Sequence, residues 1–122
     1  MRPVPTEKQL ADIPALYSSE EIPMEDKVIH AHFFVGGCDW WISEFDPAED
    51  LFFGFVNLNS PQDAEWGYID FQELKDIRLR VPVVVNGQRA GTFPVEVEFD
   101  LHWTPKPFKE VKRACQVLEA SL

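Results

Sequence analysis

Residues 40–56, WWISEFDPAEDLFFGFV, constrain this chain more than any other stretch, with six aromatic residues, four carboxylates and no Lys or Arg in seventeen positions. Two runs rich in strand formers, WWISEF and LFFGFV, flank the turn-like DPAED. Aromatic residues favour the pleated, half-buried surface of a strand and Asp-Pro opens a turn, so the stretch reads as a β-hairpin. Such a hairpin buries aromatics on one side and holds carboxylates at its tip and outer face. Trp40 and Trp41 are neighbours, and successive strand residues face opposite ways. They therefore cannot both enter one core: one lies under a helix or in an exposed aromatic patch.

The flanking sequence supplies partners for this hairpin. Val28–Val35 reads as one strand with Val28, His30, His32 and Phe34 on a common face, followed by a Gly36-Gly37 turn. Trp66–Ile69 reads as a short strand, and Val81–Val85 leads into Asn86-Gly87, the strongest short hairpin signal. From Phe93 to Leu101, Val95, Val97, Phe99 and Leu101 alternate with Glu96, Glu98 and Asp100, the pattern of a half-buried strand. Three helices are expected. Thr6 with Gln9 forms a capping box ahead of a helix that Pro14 interrupts. Asp70 with Glu73 starts a second, carrying Phe71, Leu74 and Ile77 on one side. Thr104-Pro105-Lys106-Pro107 opens a third, with Phe108, Val111, Cys115 and Leu118 at helical spacing. Together these predict one α+β domain over residues 1–122, a mainly antiparallel sheet with short N-terminal, central and C-terminal helices.

Charge bounds the kind of partner. The chain carries a formal charge of −10, yet 45% of its residues are hydrophobic, enough apolar material for a core and against disorder. Between Ser18 and Glu73 stand thirteen Asp or Glu against one base, Lys27, whereas Lys106–Arg113 holds four bases against Glu110. Binding to nucleic acid depends on Lys and Arg displacing counterions from phosphates, so direct contact with DNA or RNA by this body is not expected. A protein partner offering a basic surface is. No apolar run reaches the roughly 18 residues of a membrane span, and the N-terminus lacks the apolar stretch of a secretory signal, so a cytoplasmic location without membrane association is expected. Cys38 and Cys115 are then expected as two free thiols.

Several blocks occur in an order similar to that of a known family: TEKQLADIPALYSSE, KVIHAHFF, WWISEFDPAEDLFFGFV, EWGYIDFQELKDI and EFDLHWTPKPFKEV. They cover most of the chain, which resembles the family known as domain of unknown function 2958. The resemblance implies little biochemistry; it implies a small bacterial protein of the kind encoded with plasmids, phages and integrated conjugative elements. The family pattern has an Arg in its last strand block where this chain has Phe99, between Glu98 and Asp100. The segment from Arg80 to Pro94 is longer than the pattern, as an extended hairpin would be.

Three sets of residues can carry function. The leading set is a partner-binding surface of Trp40, Trp41, Glu44, Asp46, Glu49, Asp50 and Trp66, because an aromatic rimmed by carboxylates suits Arg or Lys side chains. Its sharper form is neutralisation of a basic nucleic-acid-binding surface by charge mimicry. An alternative is enzymatic, with Glu44, Asp46, Asp100 and His102 as a carboxylate and carboxylate–His acid–base set. For a metal, His30 and His32 lie about 6.5–7 Å apart along a strand. They would need further ligands such as Cys38, Asp39, Glu44 or His102. No CxxC or HExxH motif accompanies them, and no cofactor is expected. A structural homo-oligomer built through an open sheet edge is a third reading, and the oligomeric state is not written in the sequence.

Overall fold

The β-hairpin of residues 40–56 forms the middle of a five-stranded antiparallel sheet. The computed structural model describes all 122 residues. Its elements are α1 (Glu7–Ala11), β1 (Val28–Ile29), β2 (Ala31–Val35), β3 (Cys38–Asp46), β4 (Leu51–Leu58), β5 (Glu65–Asp70), α2 (Phe71–Asp76), β6 (Arg78–Val85), β7 (Gln88–Glu96), β8 (Glu98–Phe99), β9 (Lys106–Pro107) and α3 (Lys112–Ser121). The main sheet runs β5-β4-β3-β2-β8, while β6 pairs only with β7 and β1 only with β9. The domain is α+β, with short N-terminal, central and C-terminal helices against a mainly antiparallel sheet.

Both faces of the sheet are covered, which explains why β3 is buried along nearly its whole length. On one face Trp40, Ile42, Phe45, Phe33 and Phe52 pack with Phe71 and Leu74 of α2 and with Ile13, Val97 and Phe99. On the other, Ile29, Trp41 and Phe55 pack with Phe108, Val111, Ala114 and Val117 at the C-terminal helix. The aromatic residues therefore serve two cores, not one.

The β3–β4 ladder is interrupted once. Ile42 lies opposite Gly54 and Glu44 opposite Phe53, so Ser43 is an extra residue in a β-bulge. The bulge brings the strands so close that a Cβ on Gly54 would lie 2.0 Å from the Trp41 carbonyl oxygen. Only glycine fits there. The extra residue shifts the alternation of the strand beyond it: Glu44 shares a face with Trp41 and not with Ile42, while Phe45 returns to the first core.

Other expectations hold with shifts. Thr6 and Gln9 make the full capping box, and Asp70 accepts from the Glu73 N–H at 3.0 Å. The Val28–Val35 strand breaks at His30, which stands between β1 and β2. Residues 78–96 form one hairpin around a two-residue turn, with Asn86 and Gly87 both at positive φ as a type I′ turn requires. The Phe93–Leu101 strand is divided after Glu96, and Leu101 is exposed. The third helix starts later than expected: Lys106 and Pro107 pair with β1 as β9, the Phe108 N–H donates to the Lys27 carbonyl at 2.8 Å, and a short 3-10 turn over Phe108–Glu110 precedes α3. Cys38 packs against the first core and Cys115 against the second, so the sheet separates them and both are free. Phe99 fills core space against Phe33, with ring centroids 5.2 Å apart.

Candidate acidic cleft at the end of the sheet

The turn joining β3 to β4 is built by its own side chains. Asp46 accepts from the Ala48 N–H at 3.0 Å, and Asp50 closes the turn at a φ of +49°. The Phe71 N–H donates to the Asp50 carbonyl at 2.9 Å, and Leu51 is paired with Asp70. These bonds gather Glu49, Asp50, Asp70 and Glu73 at one end of the sheet. All four are exposed. Beside them lies a cleft of about 400 Å³ floored by Leu10, Ile13, Phe45 and Pro47 and edged by Glu7 and Asp50. The Phe45 N–H donates to the Pro14 carbonyl at 2.8 Å, which fixes the N-terminal segment as the cleft's other wall.

The remaining residues of the expected partner surface lie elsewhere. Trp40 and Trp41 are 5% and 1% exposed, one in each core, and neither can act as a surface anchor. Trp66 is half-buried against Phe55 and Phe108. Glu44 is 4% exposed. Its carboxylate accepts from the Tyr17 N–H at 2.9 Å, the Ser19 N–H at 3.1 Å and the Ser19 hydroxyl. Lys27, also buried, donates to the carbonyl and hydroxyl oxygens of Ser19. Glu44 thus clasps the Tyr17–Lys27 loop onto the sheet, because a buried carboxylate needs donors on its oxygens. Of the expected surface, Glu49 and Asp50 stay free and Asp46 is half-buried in the turn.

His32 sits in a second polar cluster under α3. Its Nε2 lies 2.9 Å from Asp39 Oδ1 and its Nδ1 3.2 Å from Asp100 Oδ2. The ring stacks on Trp41 at 5.5 Å and 8°. Arg113 Nε donates to Asp39 Oδ2 at 2.8 Å, and Asn57 Nδ2 donates to the Gly37 carbonyl at 3.1 Å. Burial pushes the Asp39 carboxyl up, but hydrogen bonds from His32 and Arg113 and their charges outweigh it and hold the carboxyl below its ordinary range. Both ring nitrogens of His32 are engaged, so neither is free for a metal or a substrate. Burial lowers the pKa of His30, against the pull of Asp12. No three or more His, Cys, Asp or Glu side chains are grouped to hold a metal ion.

The enzymatic quartet is not brought together. Glu44 and Asp46 are held by the Tyr17–Ser19 loop and the turn, whereas Asp100 bonds to His32 and to the His102 N–H, and the His102 side chain is exposed. Sequence reasoning passed over Lys27, Asn57 and Arg113. Lys27 carried a signal, as the one base in the acidic stretch; Arg113 lies 74 residues from Asp39, and no local pattern joins them. No family model, curated protein or solved structure matches this chain.

Proposed function

We propose that this chain is a non-enzymatic binding module whose acidic cleft takes a basic segment of a protein partner. The observation that carries the reading is the junction of free carboxylates with an apolar floor: Glu7 and Asp50 stand beside Leu10, Ile13 and Pro47, and exposed Glu49 precedes Asp50 in the turn. A Lys or Arg side chain lays its methylene stem on such a floor and its charge on the rim. The same chemistry fits the basic surface of a nucleic-acid-handling protein, and the body's net charge of −10 favours fast capture of such a partner. The blocks that resemble the domain of unknown function 2958 family support, as part of the proposal, a setting in the cytoplasm of a bacterium carrying a mobile element. No helix is long and apolar enough to cross a membrane.

The test is fluorescence anisotropy with a labelled arginine-rich peptide. Saturable binding is expected, weakening at least about tenfold as salt rises from about 50 to 500 mM. The double variant Glu49→Lys, Asp50→Lys is expected to weaken it by about tenfold or more, since two attractive contacts become repulsive. Binding that ignores both salt and the two substitutions would sink the reading.

A further inference from the structure

The β6–β7 hairpin stands outside the packing that holds the rest of the chain. Its strands pair only with each other, and no residue from Arg78 to Pro94 is buried. The core reaches it only at its base, through Ile77 and Val95. An isolated two-stranded ribbon is marginal in water, so an arm about 26 Å long needs something to lie against.

The register sorts its side chains. Leu79, Val81 and Phe93 fall on one face with Val95; Arg80, Pro82, Val84, Arg89 and Thr92 fall on the other. On the first face Val81 and Val83 are half-buried, whereas Val84 on the second is 62% exposed. Arg80 spends one donor on Thr92, at 2.7 Å, and the Arg89 guanidinium makes no hydrogen bond or ion pair within the chain. No acid stands between Ile77 and Val95. This is a small apolar centre with arginines at its flanks, on a protein otherwise strongly acidic. Pro82 and Pro94 interrupt the rows of backbone donors, which disfavours addition of a further strand at the edges and leaves the faces as the surfaces on offer.

Beside the base of the arm, a shallow groove of about 250 Å³ presents the complementary pattern. Val56, Leu58, Leu74 and Ile77 line it, and Asp70 and Glu73 edge it. Ile77 immediately precedes the arm, so groove and arm base adjoin. We propose that the arm of one copy docks in this groove of a second copy, and the reverse, with Val84 over the apolar floor and Arg80 and Arg89 against Asp70 and Glu73. Two-fold exchange closes the assembly, and two arm–groove contacts double the covered area toward what a specific dimer needs. The inference stands on residues other than Glu7, Glu49 and Asp50 and goes beyond the peptide-binding reading.

Sedimentation velocity on the full chain tests it. The wild type is expected to pass from one to two chain masses with rising concentration and to revert when salt rises from about 50 to 500 mM. Arg80→Glu with Arg89→Glu in one protein, and Glu73→Arg in another, should each weaken self-association at least about tenfold. An equimolar mixture of the two should recover part of it, because the unchanged arm of the second meets the unchanged Asp70 and Glu73 edge of the first and the reversed arm meets one reversed charge; a misfolded variant cannot do this. Glu49→Lys with Asp50→Lys should leave it intact, which separates failure of this proposal from failure of peptide binding. A monomer at every concentration overturns the proposal, as does a dimer indifferent to the arm substitutions or a mixture that stays monomeric. Salt-sensitive binding of a 20-base-pair duplex through Arg80 and Arg89, without self-association, would overturn it in favour of nucleic acid.

Discussion

Trp41 lies flat against His32 on one side and meets Phe55 at 6.0 Å on the other, under the C-terminal helix. At 1% exposure it supports stability and cannot touch a partner. Its ring also forms one wall of the polar cluster, so removing it opens a cavity and frees the imidazole that steadies Asp39. Trp41→Ala is expected to cost about 3–5 kcal/mol, the range for truncating a buried large aromatic. Urea unfolding followed by circular dichroism checks it. A surface anchor would behave otherwise, changing stability by less than about 0.5 kcal/mol. A loss that small would return Trp41 to the candidate partner surface.

At the scale of elements, the β3–β4 hairpin and its bulge decide where the carboxylates go. The hairpin, the caps of α1 and α2 and the Asn-Gly turn are legible in the sequence, because each is written within a few neighbouring residues. The bulge is not. Ser43 has no local mark of an inserted residue, and its buried hydroxyl finds no partner. The one available hint is Gly54, an isolated glycine in a run of aromatics, which signals close backbone approach. The fate of Glu44 is hidden because its partners lie 25 and 27 residues away, and that of Asp39 in part because Arg113 reaches it across 74 residues. The legible part of the candidate site is therefore Glu49 and Asp50, which local turn chemistry places at the surface. Gly54→Ala tests the bulge. A Cβ at 2.0 Å from a backbone oxygen cannot be absorbed by a side-chain rotation, so the strands must part. A loss of about 3 kcal/mol or more is expected, beyond the 1–3 usual for overpacking by a methyl group. A Gly67→Ala control, whose Cβ would meet nothing within 4 Å, should stay within about 1 kcal/mol of the wild type.

For the whole molecule, His30 and Asp39 are two of the groups that make the fold sensitive to acid; Glu96, held low by its bond to the N-terminal ammonium, is a third. Burial keeps His30 below its ordinary value of about 6.5, outweighing the opposite pull of Asp12. The unfolded chain therefore takes up a proton near pH 6.5 that the folded chain resists. Stability from this term is complete above that pH and is lost as pH falls toward the lowered folded value. Asp39 is also held below its ordinary carboxylate value of about 3.9, where the bonds and charges of His32 and Arg113 overcome burial. Its contribution is complete above about pH 3.9 and disappears as acid protonates the folded carboxyl. Unfolding midpoints in urea should therefore decline in two stages on acidification, a first below about pH 6.5 and a second below about pH 3.9. His30→Gln removes the titrating group and should flatten the first stage while sparing the second. Asp39→Asn should blunt the second stage and spare the first, from a lower starting stability, because it leaves Arg113 facing an amide while Glu96 still titrates. If His30→Gln and the wild type decline in parallel between about pH 7 and pH 5, burial of His30 is not what makes the fold sensitive there.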